Sequence, residues 1–479
     1  MEEKFKNEFL RYLNATVAQQ DLRIRGNIVD EKGVFYPKRS AFIIFKKHIE
    51  NFLKYNSEPR WIIMPGLRGV GKTTLLSQLF YEVLSQKDVI KFYISIDEPV
   101  RRFNISFWDI LEGYEILLGK RLEELDKKVF LFFDEVQYDK RWDSAIKSLY
   151  DRSKNIFIFC TGSSALLLKK QINADISRRA YFEELYPMDF KEYIMLRFKK
   201  YPLKDLSSEI KDILFNSKNG KDVFKNLSLI EGKIKEYWFG IDIFEIDRYL
   251  KYGTLPFSLK IKEEGVILNQ LDLMLQRIIY TDLPEITNFD KETLNKIYAL
   301  TYLLSEIFET SLTKLSTTLE ISKDTVSSIL YSLEKAGFLQ RISPYGSHYK
   351  QVRKPYRYLF SSPAFRFLLL SGKESITNFE NFKGKLLEDV VGMYLRKTLQ
   401  KFPDSSLTYD CAKEGANFIV KIRDKKIVVE VGYGKKGIKQ VEYTLKRING
   451  DFGIVISGDE KLTFKENIVK IPLKYFLLL

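Results

Sequence analysis

Cysteine and histidine are almost absent from this chain. In 479 residues there are two of each, Cys160 and Cys411, His48 and His348. Two cysteines cannot build a disulfide framework or a zinc cluster, and they point to a reducing compartment. Two histidines argue equally against a histidine metal site. No apolar run approaches the roughly 20 residues needed to span a bilayer. The opening MEEKFKNEF is charged and lacks the apolar core of a signal peptide. The expectation is a soluble cytoplasmic protein with no membrane partner.

Positive charge, in contrast, is plentiful. Lys and Arg outnumber Asp and Glu by 78 to 63, a formal net charge of +15. Such an excess favours polyanions, nucleic acid first, through release of condensed counterions. Lysine-rich thermophile proteomes carry a similar surplus for other reasons. The apolar fraction of 45% is ample for large cores, and the length suggests three or four domains rather than one.

The clearest chemistry is GLRGVGKTTLL at residues 66–76, one proline after the apolar run WIIM. It fits G-x-x-x-x-G-K-[ST], with Gly66, Gly71, Lys72 and Thr73 in the fixed places. Glycines let backbone N–H groups wrap phosphates, so Gly66, Leu67, Arg68, Gly69, Val70, Gly71, Lys72, Thr73 and Thr74 form the expected cofactor loop. Lys72 should reach the β- and γ-phosphates of ATP and Thr73 should ligate Mg²⁺. The helix after the loop turns its positive end to the anion.

VFLFFDEVQ, residues 129–137, reads as a strand buried on both faces that ends in two acids. Asp134 there can hold the Mg²⁺ shell and Glu135 can polarise the attacking water. An acidic pair after a strand is weak alone and strong at this distance from a phosphate loop. A third strand, NIFIFCTGSS, ends in small polar residues, of which Thr161 or Ser163 would sense the γ-phosphate. An ordinary strand-to-loop turn is the competing explanation. Arg178 and Arg179 could stabilise transition-state charge on a neighbouring subunit's ATP, or serve only as surface cations.

Taken together, GLRGVGKTTLL, FFDEVQ, CTGSSALLL and RRAYFEELYPMDFKEY resemble the AAA+-type ATPases of archaea and bacteria in which the ATPase core precedes a winged helix and a restriction-endonuclease-like C-terminal domain. The resemblance runs over roughly residues 25–470. It implies a five-stranded parallel sheet with helices on both faces, a homo-oligomer, and a hexameric ring as one form of it. DRYLKYGTLPF (247–257) and IIYTDLPEI (278–286) resemble short signatures of the same family and suggest no chemistry.

The organisation expected is α/β and multidomain: a basic N-terminal segment (1–40), a P-loop parallel-sheet ATPase core (41–200), a helical lid or linker (201–290), a winged helix-turn-helix (291–370), and a degenerate restriction-endonuclease-like domain (371–479). In the fourth segment, Leu312, Leu315 and Leu319 form one apolar stripe, and Val326, Ile329, Leu330 and Leu333 another. Ser322 is placed to cap the second helix and Gly337 to end it. Lys323 and Thr325 on its leading turn, and Lys350, Arg353, Lys354 and Arg357 in the tyrosine-rich wing, are the expected DNA contacts. A winged helix that only packs between domains is the alternative.

The last segment has an α-β-β-β-α-β order that looks like the restriction-endonuclease core. There, cutting needs metal-binding acids and a Glu-x-Lys on one strand. By position, Glu388 and Glu430 match the acids, whereas Asn417 stands where aspartate is usual and Gly432 where the lysine belongs. Asparagine leaves the site one negative charge short, and glycine supplies no cation. Nuclease activity is therefore not expected, and the domain is read as retained for binding or assembly, with Lys435 and Lys436 in a basic strip suited to DNA phosphates. The combined expectation is an ATP-hydrolysing, DNA-binding ATPase that uses ATP and Mg²⁺. A nucleotide-dependent switch that recruits proteins without DNA is the alternative.

Overall fold

Strands that are apolar at every position need cover on both faces. The computed structural model, which describes residues 3–162, 178–307, 310–347, 351, 354–371, 379–434 and 437–479, provides it. Strands β1 (Trp61–Pro65), β2 (Val89–Ser95), β3 (Lys128–Asp134), β4 (Ile156–Gly162) and β5 (Ala180–Phe182) form one sheet in the order β2-β3-β4-β1-β5. Every pairing in it is parallel. Strand β4 lies between the strand that leads into the phosphate loop and the strand that ends in the acidic pair.

Alternate residues of a strand face opposite sides, and the two sides are packed differently. Trp61, Ile63, Leu131, Phe133 and Ile158 join a core with Phe9 and Leu13 of α1 (Glu3–Ile28). That core also takes Phe107 of α5 (Phe107–Leu118), which follows the short α4 (Asp97–Phe103), and Trp142 of α6 (Trp142–Arg152). The other face is aromatic. Phe45 and Phe52 of α2 (Ser40–Tyr55) meet Phe159 and Phe130, with ring centroids 5.0 and 5.5 Å apart. Phe80 of α3 (Lys72–Leu84) meets Phe132 at 5.2 Å. Such pairs add about 0.5–1.5 kcal/mol each beyond burial. The segment 1–40 is thus no mere basic arm: α1 buries Phe9, Leu13, Ile24 and Ile28.

The chain divides into two compact units, Met1–Leu185 with Lys335–Gly337, and Tyr186–Glu334 with Phe338–Leu479. The second opens with helices α7 (Phe190–Phe198), α8 (Leu206–Asn216), α9 (Gly220–Leu229), α10 (Glu231–Trp238), α11 (Phe244–Arg248) and α12 (Glu264–Arg277). Between α11 and α12 the stretch DRYLKYGTLPF contains a π-helical turn, Tyr249–Gly253. Its role is structural. The Tyr249 hydroxyl donates to the carbonyl of Met188 at 2.9 Å, the Arg248 guanidinium donates to the carbonyls of Ser258 and Ile261, and the fully buried Thr254 and Ser362 hydroxyls share a bond of 2.7 Å.

Helices α13 (Lys291–Glu306), α14 (Leu312–Leu319) and α15 (Lys323–Lys335) then lead into an antiparallel hairpin of β6 (Leu339–Pro344) and β7 (Arg357–Phe360). Ser322 caps α15, its hydroxyl accepting from the Thr325 amide at 3.0 Å, and Gly337 comes after the helix at φ 73°. The hairpin is continuous with the C-terminal sheet. Ser343 and Pro344 of β6 pair in parallel with Thr408 and Tyr409 of β8 (Ser405–Tyr409). After α16 (Pro363–Ser371) and α17 (Phe379–Leu399), β8, β9 (Phe418–Ile422) and β10 (Lys425–Gly432) run as an antiparallel meander. Helix α18 (Lys439–Ile448) then crosses to β11 (Phe452–Ser457), parallel to β10. With β12 (Thr463–Lys465) and β13 (Ile468–Pro472) the mixed sheet reads β12-β13-β11-β10-β9-β8-β6-β7.

One ion pair ties four of these elements together. Arg366 of α16 and Asp389 of α17 are wholly buried, with two bonds of 2.6 and 3.0 Å between them. Asp389 also accepts from the Phe360 amide at the end of β7, while Arg366 donates to the carbonyls of Leu304 and Ser305 in the last turn of α13. Each guanidinium nitrogen and each carboxylate oxygen is engaged, which is what makes a buried ion pair tolerable. Arg366→Ala should therefore destabilise the second unit by about 3–5 kcal/mol, by stranding the Asp389 charge. Denaturant unfolding would measure it, and the apolar double replacement Arg366→Met/Asp389→Leu should recover most of the loss.

Candidate nucleotide site

The register of the parallel sheet brings strand ends together. Pro65 is opposite Gly162, and Ser95 is opposite Asp134, so the loops after these strands open at one edge, where sheets of this kind bind ligands. Two glycines make the phosphate loop possible. A Cβ on Gly66 would lie 2.5 Å from the backbone oxygen of Leu185, and the Leu185 amide donates to Pro65 at 2.8 Å. Gly71 caps α3 at φ 93°, a backbone that side chains rarely adopt. The Lys72 ammonium lies within the loop, donating to the carbonyls of Gly66 at 3.0 Å and Leu67 at 3.3 Å. Arg39, buried at the start of α2, donates to the Val70 carbonyl at 2.8 Å and braces the loop from outside.

Three segments converge on Asp134. The Thr73 hydroxyl, from the first turn of α3, donates to one carboxylate oxygen at 2.7 Å, and the Thr161 hydroxyl, at the end of β4, donates to the other. Burial pushes the Asp134 carboxyl above its ordinary value of 3.8, and the neighbouring Glu135 charge adds to the push; the two hydroxyls and Lys72 oppose it. A buried acid coordinated by neutral hydroxyls suits a divalent cation, whose charge would offset this cost. The donor set therefore fits Mg²⁺, with Asp134 and Thr73 as holders, and the loop fits an anion at a helix N-terminus.

Glu135 comes next at φ 56°, ψ 46°, a left-handed conformation that costs a non-glycine residue roughly 1–3 kcal/mol and persists only where the surroundings impose it. Here they do. The Glu135 amide donates to the Thr161 hydroxyl oxygen at 3.2 Å, and the amide of buried Gln137 donates to the Glu135 carboxylate. Gln137, within the FFDEVQ motif, carried no expected role, and Arg39 was expected only as one of the N-terminal cations open to DNA or adenine-site contacts. Gln137 reaches Glu135, two residues back, through a local turn, whereas Arg39 acts through a tertiary contact that no local motif announces.

Of the remaining expected residues, Leu67 and Val70 are buried, Arg68 and Thr74 half-buried, and Gly69 exposed. Arg178 is exposed just before β5; Arg179 pairs with Asp151 at 2.8 Å. Lys323 and Lys354 are exposed, and Thr325 is engaged in the helix cap. Ser163, Lys350, Arg353, Lys435 and Lys436 lie outside the described residues.

Arg357 differs from its expected place on an exposed wing. It is buried at the start of β7, with its guanidinium 3.4 Å from Glu388 and 3.3 Å from the Asn417 carbonyl. An arginine pointing inward from a strand cannot serve solvent-side phosphates. Glu388, Asn417 and Glu430, the residues matched by position in the sequence to a metal-binding set, each make a hydrogen bond or ion pair within the protein. Asn417, just before β9, is bonded twice to β10: its backbone amide donates to the Glu430 carboxylate at 2.9 Å, and the Val431 amide donates to its side-chain oxygen at 2.8 Å. Burial raises the Glu388 carboxyl to about 7, against the opposing pull of Arg357 and with a further push from Glu430. Next to Gly432, the Tyr433 ring lies under the Lys383 ammonium at 3.6 Å, which also pairs with Asp247 at 2.6 Å. Asp410 accepts from Thr444 at 2.6 Å and from Arg447.

The first unit's sheet order, its phosphate loop and its acidic strand end define a P-loop fold. A family model described as AAA domain matches residues 58–194. Over 447 residues the chain is 39% identical to Uncharacterized protein MJ1637 of Methanocaldococcus jannaschii, covering 92% of this chain and 89% of that one, and it belongs to the same family. It is also 25% identical over 343 residues to Uncharacterized protein MJ1544 of the same organism, covering 70% of this chain and 66% of that one. Among solved structures, the Thermotoga maritima RuvB Holliday junction branch migration motor is 15% identical, covering 63% of this chain and 89% of that one with a TM-score of 0.28. A likeness of that degree carries no argument about function. Among the described residues no helix is long and apolar enough to cross a membrane.

The raised Asp134 carboxyl makes a signed prediction. The native state takes up a proton at a higher pH than the unfolded chain, so without nucleotide its stability rises as pH falls through the raised value towards 3.8. At neutral pH the ionised form is a cost that Asp134→Asn removes. The variant should melt higher than wild type at pH 7.5 by roughly 2–4 °C, the effect of about 1 kcal/mol on a domain of ordinary size. The gap should close on acidification, as followed by thermal melts without added Mg²⁺.

Proposed function

We propose that this protein is an ATP-hydrolysing, DNA-binding member of the AAA class. The observation that carries the reading is the convergence of Lys72, Thr73, Asp134, Thr161 and Glu135 on one strand edge. ATP with Mg²⁺ supplies a phosphoanhydride that water can cleave to ADP and phosphate. Backbone amides from Gly66 to Thr74 bind the phosphates, and Lys72 adds a positive charge beside them. Thr73 and Asp134 hold the cation, Glu135 accepts the proton of the attacking water, and Thr161 keeps Asp134 and Glu135 in register. Arg178, exposed just before β5, would act on a neighbouring subunit's nucleotide in a homo-oligomer, for which a hexameric ring is one form. Arg179 would first have to leave Asp151.

The DNA reading rests on the net charge of +15 and on three helices leading into a hairpin, the order of a winged helix-turn-helix. Of the expected contacts among the described residues, Lys323 and Lys354 are exposed, and Arg357 is removed from the set by its burial. The second unit's α-β-β-β-α-β order fits a restriction-endonuclease-like fold retained for binding or assembly. Arg357 supplies Glu388 with a fixed positive partner, and Gly432 offers no side chain for chemistry.

Two outcomes test this. Lys72→Ala should abolish ATP turnover, and Glu135→Gln should cut it by about a hundredfold or more while leaving ATP binding intact; retained turnover in either would overturn the site assignment. Turnover should also rise with DNA, and that stimulation should fade as salt is raised, because backbone contacts release counterions. Turnover indifferent to single-stranded, duplex and branched DNA would favour a nucleotide-dependent switch that recruits proteins.

A further inference from the structure

Gln137 is the side chain at this site to which the hydrolysis scheme gives no task. It lies in the short 3-10 turn Val136–Tyr138 that ends the acidic strand motif, and it is buried. Its amide nitrogen donates to one oxygen of the Glu135 carboxylate. Glu135 needs such an anchor. Its backbone leaves the strand in a left-handed turn, and its charge lies next to that of Asp134. With only the Thr161 contact at its own amide, the carboxylate would be free to rotate about its side-chain torsions. A base whose position varies by an ångström loses much of its effect, since productive geometry is what proximity supplies.

We propose that Gln137 is a positioning residue for ATP hydrolysis: its amide fixes one oxygen of Glu135, so that the carboxylate is presented to water in a single orientation. The inference rests on the ATPase reading of this site. Gln137 itself touches neither the nucleotide nor the water in this scheme, and acts wholly through Glu135. A structural role, in which Gln137 merely fills the turn, makes different predictions.

The test compares full-length wild type with Gln137→Met, which keeps the volume and loses the donor, and Gln137→Glu, which replaces the donor with an acceptor. Both should lower kcat by about ten- to a hundredfold, with KM and the affinity for a fluorescent ATP analogue held within about twofold. The deciding measurement is the double variant Glu135→Gln/Gln137→Met, which should be no slower than Glu135→Gln alone, because residues acting as one unit are not additive. Wild-type kcat in Gln137→Met, an additive further loss in the double variant, or loss of nucleotide binding in both single variants would each overturn the proposal. If Glu135→Gln stops turnover while Gln137→Met leaves it unchanged, the ATPase reading stands and only this inference falls. A wild type without turnover would remove both.

Discussion

The nucleotide end of the first unit depends on one buried carboxylate. Asp134 ends a strand that is apolar at almost every position, so the chain must carry a charge into a place that disfavours it. It is held there by two hydroxyls, from Thr73 and Thr161, and each belongs to a different element. The start of α3, the end of β3 and the end of β4 are thereby brought to common positions. The parallel sheet makes this possible: its register sets Pro65 against Gly162 and Ser95 against Asp134, and the phosphate loop leaves from the same edge. Remove the carboxylate, and the two hydroxyls lose the acceptor that joins the phosphate loop to the strand bearing Glu135.

The second unit solves a similar difficulty by other means. Asp389 is as deeply buried as Asp134, but its partner is the guanidinium of Arg366, which also satisfies the last carbonyls of α13. Nearby, Glu388 faces Arg357, and Asn417 and Glu430 are committed to the backbones of neighbouring strands. The stretch 247–257 is tied down by hydrogen bonds from Tyr249 to the Met188 carbonyl and between the Thr254 and Ser362 hydroxyls. Its signature reflects packing and hydrogen bonding, which is why no chemistry could be read from it.

How much of this was legible in the sequence depends on what each feature rests on. The phosphate loop was readable because glycine spacing reports local backbone conformation directly. The parallel core was readable because strands buried on both faces are apolar throughout. Helix α1 was not: Arg23 and Arg25 made its segment read as basic, while the buried Phe9, Leu13, Ile24 and Ile28 are spread thinly along 26 residues. Arg357 was misjudged for a related reason. Composition placed it among exposed cations, yet the first residue of β7 points inward, and which way a strand residue points depends on pairing partners far away in sequence. Pairing likewise joined the hairpin of β6 and β7 to the last sheet through Ser343 and Pro344. A boundary drawn near residue 370 could not foresee that.

The contrast between the two kinds of buried acid bears on function. An arginine beside a carboxylate is a permanent partner, because a guanidinium stays charged and offers several fixed donors. A cation arriving at Glu388 would have to displace it. A hydroxyl is different: it is neutral, it can donate or accept, and it can turn from a carboxylate to a metal ion without leaving an uncompensated charge. Asp134, between two such hydroxyls and with its carboxyl held above the ordinary range by burial, is poised to gain from an incoming positive charge. Asp389 is also held above the ordinary range by burial, but both of its oxygens are already taken by the Arg366 guanidinium, which leaves no position for a further cation. A site that must bind and release its ligand in each cycle needs partners of the neutral, reorientable kind, and within this chain they stand at the end of β3.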